Sequence, residues 1–61
     1  MKVIFYDKMR ETYKSVDNVK QVEVGYTMCN GRQTKFWFVL TNDMNSQSFK
    51  YKDFDLNRVE G

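Results

Sequence analysis

Apolar and polar residues alternate along the middle of the chain. From Val22 to Met28 every second residue is apolar, which is the period of a strand with one buried face. Asn30-Gly31 follows directly, and this dipeptide supplies the two positive-φ positions of a type I′ hairpin turn. The pattern therefore predicts a strand over residues 19–29, a tight turn and a second strand that returns antiparallel to the first.

A two-residue turn fixes which residues of the two strands face each other. It pairs Val22 with Val39 and Val24 with Trp37 on one face of the hairpin. The opposite face of the second strand then carries three further apolar side chains, Phe36, Phe38 and Leu40. The pattern over residues 35–40 therefore predicts a central strand that is covered on both sides.

Two irregularities are expected in the first strand of this hairpin. Val19 is out of phase with Val22 by one position, so we predict a bulge or bend between them. Gly25 lies in the middle of the strand, where a glycine indicates a close backbone approach or a large neighbour lying across it.

Shorter strand patterns flank the hairpin. Branched and aromatic residues predict strands over 2–6, 12–16 and 49–52, separated by polar loops at 7–11 and 42–48 and a turn at Asp17-Asn18. After a corner at 53–55, residues 56–59 form either a last strand or a single helical turn. We predict a single all-β domain over residues 1–61: an antiparallel meander of five or six strands, left as one sheet or curled into a partly closed barrel.

Composition supports this fold class and narrows the chemistry. The 61 residues include no Ala and no Pro but ten aromatic residues, which disfavours a helical bundle. The chain has no His, and its single Cys29 has no activating base within the local sequence. Asp53 and Asp55 are two positions apart, but a solvated turn explains them equally well. We therefore expect no enzyme activity, no cofactor and no metal site.

Charge and cysteine content indicate the compartment. Ten Lys and Arg residues against eight Asp and Glu give a net charge of +2, with no block of like charge to attract nucleic acid from a distance. A small secreted domain would normally carry several disulfides, and Cys29 is the only cysteine. No apolar run reaches the length of a membrane span, and no signal-peptide core follows Met1-Lys2. We expect an intracellular, cytoplasmic protein that does not contact a membrane.

Large apolar side chains on both faces of one strand suggest contact with another protein. Exposed apolar patches usually mark an interface, and aromatic anchors dominate interface energetics. The candidate partner-contact residues are Phe36, Trp37, Phe38, Leu40, Phe49 and Tyr51. The alternative is that Val3, Phe5 and Phe54 fold over Phe36, Phe38 and Leu40 inside a closed barrel, which would make that face core. A chain this short and without disulfides is also expected to self-associate, through this face or through an open strand edge, as a homodimer.

A second interpretation is that the protein binds single-stranded nucleic acid. Aromatic rings alternate with basic residues in two segments, and such a platform stacks bases on rings while lysines follow the phosphates. The candidate nucleic-acid contacts are Lys35, Lys50 and Lys52, together with the rings of Phe49 and Tyr51. The competing explanation is that the rings form the core and the lysines point to water.

The order of these features resembles short β-rich proteins encoded by phages and mobile elements. The shared features are the opening Lys2-Val3-Ile4-Phe5-Tyr6, Asp17-Asn18-Val19 before a valine-rich strand, the aromatic strand, and Lys52-Asp53-Phe54-Asp55-Leu56 near the end. The resemblance implies a protein that acts by binding one host factor, and it assigns no role to individual residues. We therefore predict a non-enzymatic module that makes stoichiometric contact with a protein partner.

Overall fold

The structure, a computed structural model, describes residues 1–61 and consists of strands joined by short turns. In chain order the strands are β1 (Lys2–Asp7), β2 (Thr12–Val16), β3 (Val19–Cys29), β4 (Arg32–Thr41), β5 (Ser46–Lys50) and β6 (Phe54–Glu60). No helix long and apolar enough to cross a membrane is present. The predicted all-β class is confirmed, and the last segment is a strand instead of a helical turn.

The strands form two antiparallel sheets of three strands each. The smaller sheet has the order β2-β1-β6, and the larger sheet has the order β3-β4-β5. The predicted single sheet is therefore replaced by two, and these do not close into a barrel. The difference arises because β6, at residues 54–60, returns to pair with β1 instead of with its sequence neighbour β5.

The chain passes from the smaller sheet to the larger one at a tight corner. Asn18 adopts a positive φ of 58°, which Asn tolerates better than most residues. The Val19 N–H donates to the Met1 carbonyl at 2.7 Å, and the Met1 ammonium group donates to the Val19 carbonyl at 3.0 Å. The Asn42 N–H donates to the Asn18 carbonyl at 2.9 Å. These bonds fix the angle at which one sheet leaves the other.

The hairpin of β3 and β4 has the predicted register. Cys29 pairs with Arg32, Val24 with Trp37 and Val22 with Val39. Asn30 and Gly31 have φ values of 53° and 76°, as a type I′ turn requires. The register shifts between Val19 and Gln21, so the predicted bulge is confirmed. Gly25 is also explained, because an added Cβ there would lie 3.1 Å from Cε2 of Phe38.

The core lies between the two sheets and is small. Val3, Phe5 and Val16 of the smaller sheet pack against Val19, Val39 and Phe49 of the larger sheet. The Phe5 ring, fully buried, lies 4.9 Å from the Phe49 ring and 5.7 Å from the Trp37 ring. Phe54 packs beside them, with its ring 5.1 Å from Phe49. The side chains of Val3, Phe5 and Phe54 therefore cover the opposite face of β4. The alternative in which they cover Phe36, Phe38 and Leu40 is wrong.

The two sheets differ in length, and this difference shapes the surface. Strands β3 and β4 have 11 and 10 residues, whereas those of the smaller sheet have 5 to 7. The indole N–H of Trp37 donates to the Phe54 carbonyl at 3.0 Å, at the first residue of β6. Beyond Trp37 the hairpin projects past the smaller sheet. We call residues 24–35 the hairpin arm.

The arm explains why several apolar residues of the predicted strand are exposed. Val24, Tyr26 and Met28 continue the apolar face of Val22, but they are exposed by 45%, 61% and 67%. Strand β4 is the central strand of its sheet, as predicted. The prediction that it is covered on both sides is wrong, because the second layer lies on one side only and along part of its length.

Asp7 is a buried carboxylate that closes the loop between β1 and β2. Its Oδ1 accepts the N–H groups of Met9 and Arg10 at 3.0 and 3.2 Å, and its Oδ2 contacts Nη1 of Arg10 at 3.3 Å. Burial acts to raise the pKa of Asp7, but the hydrogen bonds from Arg10 and Met9 outweigh it and hold the pKa below its usual 3.8. The ionised form is therefore the one that the fold favours.

We predict that Asp7 makes the stability of the fold dependent on pH in the acid range. Because its folded-state pKa is lowered, the carboxylate contributes stability that is fully present above the unfolded-state pKa of about 3.9 and is lost as the pH falls through the folded-state pKa. Asp7→Asn should lower the melting temperature at pH 7, and the difference from the wild type should disappear near pH 2. A difference of the same size at both pH values would contradict this assignment.

Candidate binding surfaces

The face of the larger sheet that points away from the smaller sheet carries an apolar strip. We call this strip, made of Phe36, Phe38 and Leu40, the outer strip. Its three side chains are half-buried, and because the smaller sheet packs on the opposite face, they are covered by neighbours in their own sheet. The Phe36 and Phe38 rings are 5.9 Å apart, and Phe38 lies over Gly25. The outer strip is therefore contiguous and accessible.

The residues beside the outer strip are polar and almost balanced in charge. On one side Glu23 pairs with Phe38, and on the other side Lys50 pairs with Phe36 and Ser48 with Phe38. An apolar centre within a polar rim is the usual anatomy of a protein–protein interface. The missing Cβ at Gly25 also leaves space for the Phe38 ring to lie flat on the sheet.

The opposite face carries an aromatic pair at the point where the smaller sheet ends. The Trp37 and Tyr51 rings are stacked, with centroids 4.8 Å apart and an interplanar angle of 27°. The Lys35 ammonium lies 4.0 Å from the centre of the Tyr51 ring, within cation–π distance. The Tyr51 N–H donates to the Lys35 carbonyl at 3.1 Å, which holds the turn after β5 against β4.

Next to this pair lies an open concavity of about 430 Å³. Its lining residues are Arg32, Gln33, Thr34, Lys35, Tyr51 and Lys52. Three of them are cationic and none is acidic, so the concavity favours an anionic ligand. This volume exceeds the ~300 Å³ at which ligand pockets usually begin, but the concavity is open to solvent.

The structure separates the predicted contact residues into three groups. Phe36, Phe38 and Leu40 form the outer strip, whereas Trp37 and Tyr51 lie on the inner face. Phe49 is 6% exposed and belongs to the core, so it offers no surface to a partner or to a base. The predicted lysines are also divided: Lys35 and Lys52 line the concavity, and Lys50 lies beside the outer strip.

Sequence patterns did not identify several of the exposed residues. Period two places Val24, Tyr26 and Met28 on one face with Val22, but it does not show that they are exposed. No local pattern links Arg32 with the lysines of the concavity. The available signal was length, because strand patterns of 11 and 10 residues cannot be matched along their whole length by neighbours half as long. A hairpin longer than its partners must project beyond them.

Comparison with known proteins adds no assignment to these surfaces. No protein family, curated protein or solved structure matches the chain. Function is therefore inferred from the outer strip, the cationic concavity and the hairpin arm themselves.

Proposed function

We propose that this protein is a non-enzymatic binding module that acts by stoichiometric contact with another protein through the outer strip. The observation that carries the proposal is the position of Phe36, Phe38 and Leu40 on a sheet face that no second layer covers. Large apolar side chains placed side by side on a surface are costly in water and are typical of interaction sites.

The energetics favour this use of the strip. A large aromatic side chain removes about 150–250 Å² from water when it passes from full exposure to full cover, and each Å² of apolar surface contributes about 25 cal/mol. Because Phe36 and Phe38 are half-buried in the free protein, a partner removes only the part that is still exposed. Phe36 and Phe38 are already held in place by the sheet and by each other. Little side-chain entropy therefore remains to be lost when a partner covers them.

The chemistry of the strip limits the kind of partner. Glu23 and Lys50 have opposite charges, so the rim does not select a strongly acidic or basic segment. The complementary surface is an apolar patch on a folded protein, with polar groups at its edge. The resemblance to phage and mobile-element proteins favours a host factor of the cell in which the chain is made as that partner.

Phe38→Lys is expected to abolish partner binding while leaving the chain folded. The lysine places a charge in the centre of the apolar contact, whereas in the free protein it can extend into water, at a cost to stability of roughly 1–2 kcal/mol. Affinity capture from a lysate of the natural cells, quantified by mass spectrometry, should recover the partner at unit stoichiometry with the wild type and lose it with this variant.

Tyr13→Lys is the matched control. Tyr13 lies on the smaller sheet, is 68% exposed and packs on Tyr6, with ring centroids 5.1 Å apart. Its replacement also introduces a lysine for an aromatic ring, but away from the outer strip, so partner recovery should persist. Equal recovery with Phe38→Lys and the wild type, or equal loss with both variants, would contradict the proposed contact.

Single-stranded nucleic acid is a second candidate ligand, supported by the concavity. Arg32, Lys35 and Lys52 surround a depression without an acidic residue, and Tyr51 presents a ring at its edge. Cations that follow phosphates beside a ring that stacks on a base form the minimal platform for a single strand. Phe49 plays no part in this version, because it is buried.

This second function predicts weak, salt-sensitive oligonucleotide binding. Neutralising three phosphates gives a slope of about −2 in log affinity against log salt, or a roughly twentyfold loss between 50 and 200 mM. Tyr51→Ala should weaken binding of a labelled single strand by a further 5- to 150-fold, about 1–3 kcal/mol, and Tyr13→Ala should not. Fluorescence anisotropy measures both effects. An affinity that is unchanged by salt, or unchanged by Tyr51→Ala, would rule this candidate out.

A further inference from the structure

The outward edge of β3 is the longest unpaired strand edge in the molecule. In the larger sheet β3 pairs with β4 on one side and has no strand on the other. Met1 occupies that free side at Val19, through the two backbone hydrogen bonds of the corner. From Gln21 to Cys29 the register with β4 is regular, so the edge is straight over this stretch.

Between Gln21 and Cys29 this edge has little of the usual protection against pairing with another strand. Natural edges carry Pro, bulges or charged side chains, Lys above all, that prevent such pairing. The chain has no Pro, the one irregularity of the hairpin lies before Gln21, and Glu23 is the single charged residue from Gln21 to Cys29. The inner face presents Val24, Tyr26 and Met28, which are among the most exposed apolar residues of the chain.

The turn determines which backbone groups point outward from β3. In a hairpin closed by a two-residue turn, the flanking pair is hydrogen-bonded, so Cys29 directs its N–H and C=O toward Arg32 in β4. Successive residues of a strand direct their N–H and C=O groups to opposite sides. The backbone groups of Val24, Tyr26 and Met28 therefore point away from β4. The bond from the Tyr51 N–H to the Lys35 carbonyl is consistent with this assignment. It shows that the Lys35 carbonyl points away from β3, whereas the backbone groups of Arg32 point toward β3.

We propose that β3 pairs antiparallel with β3 of a second copy of this chain, about a two-fold axis at Tyr26. Tyr26 then faces its own counterpart, and Val24 faces Met28 of the second copy, so the outward N–H and C=O groups of these residues bond across the axis. On the outer face Gly25 meets Thr27, and Glu23 meets Cys29 of the second copy. The two larger sheets become one continuous sheet.

The strand is complementary to itself in this register. Every apolar residue from Val24 to Met28 on the inner face is opposed by another apolar residue, and no two like charges face each other. Moving the axis by one residue, to Gly25, places Cys29 of the second copy beside Gln21 and brings its turn against the Met1–Val19 contact. The axis at Tyr26 leaves that contact free.

The pairing completes two surfaces at once. The exposed side chains of the hairpin arm cover each other across the axis, which removes the most exposed apolar residues of the inner face from water. On the other face the two outer strips come to lie on one sheet. The dimer therefore presents two copies of the proposed partner contact, and the pairing itself uses none of Phe36, Phe38 and Leu40.

Disulfide cross-linking tests the register directly. Glu23 and Cys29 of the second copy form a non-hydrogen-bonded pair, in which Cα atoms are about 4.5 Å apart, a spacing that a disulfide accepts. Glu23→Cys should therefore give a covalent dimer on mild oxidation, seen as a doubled mass that reducing agent reverses. Gln21→Cys, two residues away on the same face, should remain uncross-linked, as should the wild type.

Charges introduced at the axis test the contact without relying on cross-linking. Tyr26→Lys places two like charges opposite each other and should give a monomer in sedimentation analysis, as should Tyr26→Glu. Mixing the two variants in equal amounts should restore the dimer, because Lys then faces Glu. Restoration also shows that neither variant failed by unfolding.

Three outcomes would overturn the proposal. A wild type that remains monomeric at millimolar concentration excludes the dimer. Cross-linking by Gln21→Cys but not by Glu23→Cys excludes the axis at Tyr26. A dimer that persists in both Tyr26 variants excludes this edge, and its loss in Phe38→Lys would assign the contact to the outer strip.

Discussion

The burial of Phe5 between Trp37 and Phe49 is the interaction on which the rest of the structure depends. Phe5 is the largest fully buried side chain, and it joins the middle strand of the smaller sheet to two strands of the larger sheet. Six buried apolar residues make up the whole core. A domain of this size has little hydrophobic stabilisation to spare, so the face of β4 that receives Phe5 is fixed, and the opposite face is left to solvent.

Both proposed contacts follow from this one-sided packing combined with unequal strand lengths. The smaller sheet covers β4 as far as Trp37, where the indole bonds to the Phe54 carbonyl. The apolar face continues past that point into the hairpin arm, and the second apolar face forms the outer strip. A chain whose period-two pattern extends beyond its own second layer presents apolar surface to other molecules. The proposed protein contact and the proposed pairing of β3 use different parts of that surface.

Local signals predicted much of this fold and little of the site. The hairpin register, the bulge after Val19 and the ring over Gly25 follow from Asn30-Gly31 and strand periodicity, which act over short distances. The division into two sheets depends on the pairing of β6 with β1, which no local pattern specifies.

The same limit explains the errors about burial. Phe49 and Tyr51 share a face by periodicity, yet Phe49 is core and Tyr51 is at its edge. Which of them is covered depends on where the smaller sheet ends, and its extent is a tertiary property. The cationic concavity is likewise formed by residues from β4 and from the turn after β5. Its members are adjacent only once these segments have packed together.

The free energies of unfolding of Leu40→Lys and Val39→Lys test the one-sided packing of β4 most directly. These neighbours point to opposite faces of β4: Val39 is 1% exposed in the core, and Leu40 is half-buried in the outer strip. One-sided packing predicts that Leu40→Lys unfolds cooperatively, with a loss of about 1–2 kcal/mol. Val39→Lys should not fold, because an unpaired buried charge costs several kcal/mol in a domain of marginal stability. Equal and severe destabilisation by both variants would show that both faces of β4 are core, and that β4 is not packed on one side only.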